Sequence, residues 1–197
     1  MKTKLIAITG GLATGKSTFL RLLQKMGFTT LSCDEIVKDL YKSDIIKKKV
    51  VNLLGEDILS EDWQIDKRKV LEKILQNPSL RRALESLIHP LVWEKIKETL
   101  RECTQKGNKI IFVEVPLLFE AGWETFFDEI WVITCKEETQ KWRIEEKPDK
   151  ELWLKLSQMQ LPLEIKERRA NRLFSSEKSP SEWERELREI LKEYLKE

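Results

Sequence analysis

A single histidine, His89, and three cysteines, Cys33, Cys103 and Cys135, are all the imidazole and thiol this chain contains. No two cysteines stand in C-x-x-C spacing, so neither a zinc site nor a redox pair is expected. An odd number of thiols suits a reducing compartment better than a disulfide-stapled secreted domain. An excess of charge is also missing. Lysine plus arginine number 36 against 34 aspartates and glutamates, a net charge of +2, which provides no global field for nucleic acid. The longest apolar runs, such as IIFVEVPLLF (110–119), are too short to span a bilayer. The opening MKTKLIAITGG reads as a strand running into glycines, without the length or cleavage site of a signal peptide. A cytoplasmic location is expected, with no membrane, no nucleic acid and no obligate protein partner. Repeats and low-complexity linkers are absent, so 197 residues imply one domain.

The apolar residues that are there, 41% of the chain, fall in short β-branched runs. KLIAIT (4–9), KIIFVEV (109–115) and EIWVITC (129–135) are near-continuous, the pattern of strands buried on both faces of a parallel sheet. FTTLSC (28–33) and NRLF (171–174) add two more. Helical patterns separate them. In KSTFLRLLQKM, Phe19, Leu20, Leu23 and Met26 share a face and Gly27 ends it. Residues 34–60 and 66–103 read as helical, broken by Gly55, Pro78 and Pro90. Residues 148–160 form a further helix between Pro148 and Pro162. The last helix, in SPSEWERELREILKEYLKE, has a capping box of Ser181 with Glu184 and an apolar face of Trp183, Leu187, Ile190, Leu191, Tyr194 and Leu195. Alternating strands and helices predict an α/β fold with a five-stranded parallel sheet flanked by helices. The stretch 36–105 is too long for one crossover helix and is read as a helical insertion beside the sheet.

Three of the seven glycines lie in GGLATGKS (10–17). The stretch fits G-x-x-x-x-G-K-S/T, with Gly10, Gly15, Lys16 and Ser17 at the fixed positions. Glycines let backbone N–H groups converge on phosphate oxygens without a Cβ in the way. The helix that follows points its partial positive charge at the same anions. Lys16 neutralises the β- and γ-phosphates and the Ser17 hydroxyl suits Mg²⁺. Chance supplies this pattern in roughly one chain of this length per hundred, and here it also follows a strand and opens a helix. Gly10, Gly11, Leu12, Ala13, Thr14, Gly15, Lys16, Ser17 and Thr18 are therefore expected to bind the phosphates of a nucleoside triphosphate.

A GTP switch would need N-K-x-D and D-x-x-G segments, and neither occurs. A small-molecule kinase needs a carboxylate for the acceptor and cations for the transferring phosphoryl group. Asp34 directly follows the strand 28–33, at the strand ends that face the ligand crevice of open α/β sheets. It could orient an acceptor hydroxyl and take its proton, or cap the helix that starts there. Glu114 ends IIFVE, where a second carboxylate could serve Mg²⁺ or its waters. Arg143 lies in KEETQKWRIEEK, just past the fourth strand, where a guanidinium can stabilise transition-state charge. Of the seven tryptophans, most, Trp142 and Trp153 included, are read as packing.

In ITGGLATGKST (8–18), LSCDEIVKDL (31–40), DKRKVLEKILQNP (66–78), LIHPLVWEKI (87–96), VEVPLLFEAG (113–122) and SQMQ (157–160), the chain resembles the dephospho-coenzyme A kinases along nearly its whole length. That resemblance implies a P-loop kinase core (1–33, 105–136 and 166–197), a helical CoA-binding insertion over about 36–104, and a small lid over about 137–165. It implies transfer of the γ-phosphoryl group of ATP, with Mg²⁺, to the ribose 3′-hydroxyl of dephospho-CoA. Asp34 falls on the family's catalytic aspartate and Arg143 on a lid arginine. Arg68, His89, Pro116 and Leu117 fall on the acceptor side. For His89 a structural role capping a helix before Pro90 stays open. The alternatives are a P-loop kinase acting on a nucleoside monophosphate, or a non-catalytic nucleotide-binding module. The chain departs from the family in four places. Ser32 replaces the first aspartate of D-A-D, Glu114 stands for aspartate, the second arginine of a shortened lid is either Lys147 or missing, and Asn171 and Ser176 replace an aspartate and an asparagine near the adenine.

Overall fold

The computed structural model describes residues 3–196. It divides into two compact units. One comprises the chain up to Ser32 and from Thr99 onward; the other is Cys33–Glu98.

The first unit holds five strands, β1 (Lys4–Gly10), β2 (Thr29–Ser32), β3 (Ile110–Glu114), β4 (Glu129–Thr134) and β5 (Arg172–Ser175), in one sheet of order β2-β3-β1-β4-β5. Every neighbouring pair is parallel. That arrangement needs apolar side chains on both faces, and all of β3 and all but the first residue of β1 are buried. On one face Ile6, Ile8, Phe112, Trp131 and Phe174 pack against α1 (Lys16–Lys25) and α9 (Pro180–Lys196). Trp131 sits at ring-centroid distances of 5.2 Å from Phe112 and 5.1 Å from Phe174. Trp183, Leu187, Leu191 and Tyr194 are the buried stripe of α9, so this helix docks on its own chain. Leu195, assigned to the same stripe, is 53% exposed instead. The parallel register brings Ser32, Glu114, Gly10, Thr134 and Ser175 to the same, carboxyl-terminal edge of the sheet.

Three further helices of this unit follow β4: α6 (Glu137–Glu145), α7 (Lys150–Gln158) and α8 (Leu163–Arg168), of which only α7 is among the helical stretches read from the sequence. The cap of α9 also differs. Ser179 and Glu182 form the box, with Ser179 N–H donating to Glu182 Oε2 at 2.8 Å and Glu182 N–H to Ser179 Oγ at 3.3 Å. Ser179 and Ser181 each have a glutamate three residues on. Pro180 decides between them, because its missing N–H and fixed φ suit the first helical position.

The second unit is helical: α2 (Cys33–Leu40), α3 (Asp44–Leu54), α4 (Lys67–Gln76) and most of α5 (Pro78–Gln105). Cys33 starts α2, so β2 is shorter than FTTLSC suggests, and a turn at 41–43 splits the helical stretch a second time. Pro78 opens α5 with the Asn77 side chain accepting from the N–H groups of Ser79 and Leu80 at 3.0 and 3.2 Å. Pro90 does not end a helix: it lies inside α5. Its missing donor costs one bond of a long ladder, and Ile88, Val92 and Ile96 keep this stretch buried on one side. Among the described residues no helix is long and apolar enough to cross a membrane.

Candidate active site

β1 ends at Gly10 and α1 begins at Lys16, so the motif residues form the loop between a central strand and a helix N-terminus. Two glycines are needed for space. A Cβ on Gly10 would lie 2.3 Å from the Ile133 carbonyl oxygen, and one on Gly15, where φ is +104°, would lie 3.2 Å from Ser176 Cβ. Ala13 takes a left-handed conformation with φ 58°. The first turn of α1 contains no acidic residue of its own.

The Lys16 ammonium folds back over the loop and donates to the Gly11 carbonyl at 2.7 Å, and the Thr14 hydroxyl donates to the same oxygen at 2.9 Å. Both side chains are buried, whereas Ser17 and Thr18 are exposed. The Ser17 hydroxyl donates to Glu114 Oε1 at 3.1 Å. Glu114 is buried at the end of β3. A hydroxyl and a carboxylate are the hard oxygen donors that suit Mg²⁺, which completes its octahedron with waters and phosphate oxygens. Among the described residues no group of three or more His, Cys, Asp or Glu side chains is placed to hold a metal ion. One hydroxyl and one carboxylate are a donor set that fits a cation whose other ligands are waters and phosphate oxygens.

α6 covers the loop from the side. Arg143 donates to the Ala13 carbonyl at 3.2 Å, to Ser176 Oγ at 2.8 Å and to the Ser176 carbonyl at 3.2 Å. Gln140, one turn earlier on the same face, donates to the Leu12 carbonyl at 2.7 Å. Beside this cluster, burial pushes the Cys135 thiol up, and the Arg143 charge opposes that shift in part. Lys147 turns elsewhere, its ammonium 5.6 Å from the Trp153 ring centroid. Trp142 is 61% exposed, so the packing role expected of it is not the one it has. Asn171 is structural: its side chain accepts from the Ile130 N–H and its own N–H returns a bond to the Ile130 carbonyl, both at 2.8 Å. After β3, Pro116 is half-buried and Leu117 is 42% exposed, whereas Leu118 and Phe119 belong to the core.

The structure thus gathers Gly10–Thr18, Glu114 and Arg143 in the first unit. Asp34, Arg68 and His89 belong to the second. Asp34 is exposed and lies in the first turn of α2; it does not precede the helix, so it is not its cap. The residue that reaches it is Lys67, whose ammonium donates to the Asp34 carbonyl at 3.3 Å. Arg68, next in the chain, is exposed and pairs with Glu72 at 3.0 Å. His89 is half-buried in the middle of α5, which removes the helix-capping role. Burial lowers its pKa below the ordinary 6.5, and Glu85 one turn away opposes that shift.

Two residues of the first unit, Gln140 and Lys166, are not anticipated by the sequence, and Ser176, named there only for a position near the adenine, proves to be a partner of Arg143. Gln140 could have been found, because it lies three residues before Arg143 and shares its helix face. Ser176 follows β5 at the ligand-facing edge of the sheet. Lys166, fully buried on α8, has no signal in LEIKER to separate it from the solvated lysines around it.

The model of the dephospho-CoA kinase family matches residues 4–181 of the chain. A dephospho-CoA kinase of Protochlamydia amoebophila is 35% identical over 199 residues, covering 98% of this chain and 97% of that one. One from Bdellovibrio bacteriovorus is 31% identical, with 96% and 95% covered. Among solved structures, the crystal structure of a Thermus thermophilus protein superposes with a TM-score of 0.83 at 26% identity, covering 98% of each chain. Dephospho-CoA kinase from Campylobacter jejuni gives 0.67 at 27% identity, covering 96% of each.

Proposed function

The chain belongs to the dephospho-CoA kinase family, and from that premise we propose how its own residues move the γ-phosphoryl group of ATP to the ribose 3′-hydroxyl of dephospho-CoA. The reaction is an ATP-dependent phosphorylation that yields coenzyme A and ADP, and it belongs to coenzyme A biosynthesis. The observation that carries the residue assignments is the phosphate loop, with Lys16, the Ser17–Glu114 pair and Arg143 all converging on it.

The backbone N–H groups of residues 10–18 and the N-terminus of α1 bind the triphosphate. Lys16 exchanges its bond to the Gly11 carbonyl for a phosphate oxygen. Ser17 and Glu114 would hold Mg²⁺, which when bound neutralises charge on the β- and γ-phosphates. Arg143 presents a guanidinium whose donors now rest on carbonyl and hydroxyl oxygens. Those weaker acceptors can be exchanged for phosphate at low cost. The Asp34 carboxylate orients the 3′-hydroxyl and takes its proton as that oxygen attacks phosphorus and the bond to the β-phosphate oxygen breaks. Arg68, His89, Pro116 and Leu117 contact the acceptor. His89 serves as a neutral contact, in keeping with its lowered pKa.

An acceptor panel tests the reading. With ATP and Mg²⁺, the protein should form ADP with dephospho-CoA and not with AMP or CMP, and the product should carry a 3′-phosphate. ADP formed only with the monophosphates would replace this assignment by a nucleoside monophosphate kinase. Binding of ATP with no turnover on any acceptor would leave only a nucleotide-binding module.

A further inference from the structure

The least accessible charged group among the described residues is Lys166, with 0% of its surface exposed. An ammonium has three N–H donors, and this one meets three acceptors from three segments of the first unit. Its Nζ lies 2.8 Å from Glu120 Oε1, 3.4 Å from the Gly10 carbonyl and 3.4 Å from the Pro116 carbonyl. Glu120 also accepts from the Leu161 N–H at 2.8 Å, which ties in the chain between α7 and α8.

Stability alone gives little reason for a charge there. Exchanging a buried ion pair for apolar side chains of similar volume is often neutral or stabilising, whereas removing one partner is costly. What the ammonium does that a methionine would not is hold two carbonyls at once. Gly10 is the first residue of the phosphate loop, and Pro116 opens the turn read as the acceptor-side wall. The Gly10–Gly11 peptide is trans and planar, so the Gly11 N–H points opposite to the Gly10 carbonyl. Whatever holds that carbonyl sets the direction of the first N–H of the loop.

We propose that Lys166 is a positioning residue for phosphoryl transfer, fixing the first peptide of the phosphate loop and joining it to the Pro116 segment so that one buried ammonium aligns the donor and acceptor sides. The inference rests on the kinase reading above and deepens it. Lys166 touches no substrate and acts through Gly10 and Pro116.

The test compares Lys166→Met with the double variant Lys166→Met/Glu120→Gln, which leaves no unpaired charge behind. kcat is read from ADP release at saturating ATP and dephospho-CoA, affinity from calorimetry with a non-hydrolysable ATP analogue and Mg²⁺ in the absence of acceptor, and Tm from thermal melting. Positioning predicts that kcat falls about 10- to 100-fold in both variants, the scale expected for sub-ångström misplacement of reacting groups. It also predicts that analogue affinity drops several-fold, and that the double variant recovers Tm without recovering kcat. A double variant with wild-type kcat, or a single variant that loses Tm alone, would overturn the proposal. Should a Met variant fail to melt cooperatively, Lys166→Arg decides. It keeps the pair with Glu120, but a planar fork does not reproduce a point charge serving three separate acceptors. Read at a temperature where both proteins are folded, its kcat should fall at least fivefold, and an unchanged kcat would count against the proposal. Wild-type protein that bound the analogue yet made no coenzyme A would refute the reaction, and the affinity change in Lys166→Met would still judge Lys166.

Discussion

Gly10→Ala isolates the fit between the phosphate loop and the sheet. The added Cβ would stand 2.3 Å from the Ile133 carbonyl oxygen and 2.9 Å from Thr14 Oγ1. Such contacts are essentially never shorter than 3.0 Å, and 3.0 Å less 2.3 Å leaves at least 0.7 Å to be found by moving something. Ile133 has little room to give. It pairs with Gly10 on one side and with Phe174 of β5 on the other, and it is fully buried. The start of the loop must therefore shift. Overpacking of this kind costs about 1–3 kcal/mol, and the backbone, with φ at +152°, adds about 1–3 kcal/mol for a residue other than glycine. A total of about 2–6 kcal/mol lowers Tm by roughly 5–20 °C in a chain of this size. Displacing the loop by the better part of an ångström should also cut kcat about 100-fold. The assay is a thermal melt paired with ADP release at a temperature where both proteins are folded. Gly122→Ala is the control, because its φ is +67° but nothing lies within 4 Å of the added Cβ. It should lose about 1 kcal/mol of stability and keep its kcat. If Gly10→Ala melted within 2 °C of wild type and turned over within twofold, the close packing of loop on sheet would not be what positions the phosphates.

Asp34→Asn should cut kcat by about 10²–10⁴ with little change in the KM for ATP or in Tm, as measured by steady-state kinetics and melting; normal turnover at saturation would reduce Asp34 to a residue of the α2 first turn. His89 gives a pH signature in stability. Its folded pKa lies below the ordinary 6.5, so the unfolded chain binds the proton more readily. Its contribution is complete above about pH 6.5 and is lost as pH falls through the lowered folded value. Melting curves from about pH 7.5 to 5 should fall less steeply for His89→Gln than for wild type; parallel curves would show that the imidazole is not desolvated.

The parts of this molecule that were legible in the sequence are those where chemistry or geometry leaves few residue types to choose from. Gly10, Gly15, Lys16 and Ser17 are such a set, because a phosphate cradle needs bare backbone, one cation and one hydroxyl. The strands were legible because a parallel sheet covered on both faces demands runs such as IIFVE and EIWVIT, and Glu114 stood out as a charge at the end of one. Arg143 was legible from its place just past β4. Gln140 and Ser176 are ordinary polar residues, and their meaning comes from a register set by tertiary packing. Lys166 is one lysine among many, and only burial distinguishes it. Pro90 and the Ser179 cap are hidden from a local reading. Packing keeps α5 whole through a proline that would break an isolated helix, and of two overlapping serine–glutamate pairs only the place of Pro180 distinguishes the one that caps α9. Trp142 shows that a large aromatic residue is not by itself evidence of core.

The central claim is that the loop at residues 10–18 delivers the terminal phosphoryl group of ATP to dephospho-CoA. It is tested most directly with ATP labelled by oxygen-18 in the γ-phosphoryl group, Mg²⁺ and dephospho-CoA, with mass spectrometry of the products from wild type and from Lys16→Ala. Coenzyme A carrying the label in its 3′-phosphate from wild type, with none above background from a folded Lys16→Ala protein, is the predicted result. Unlabelled or absent coenzyme A from wild type, or labelled product formed equally well without Lys16, would contradict the account.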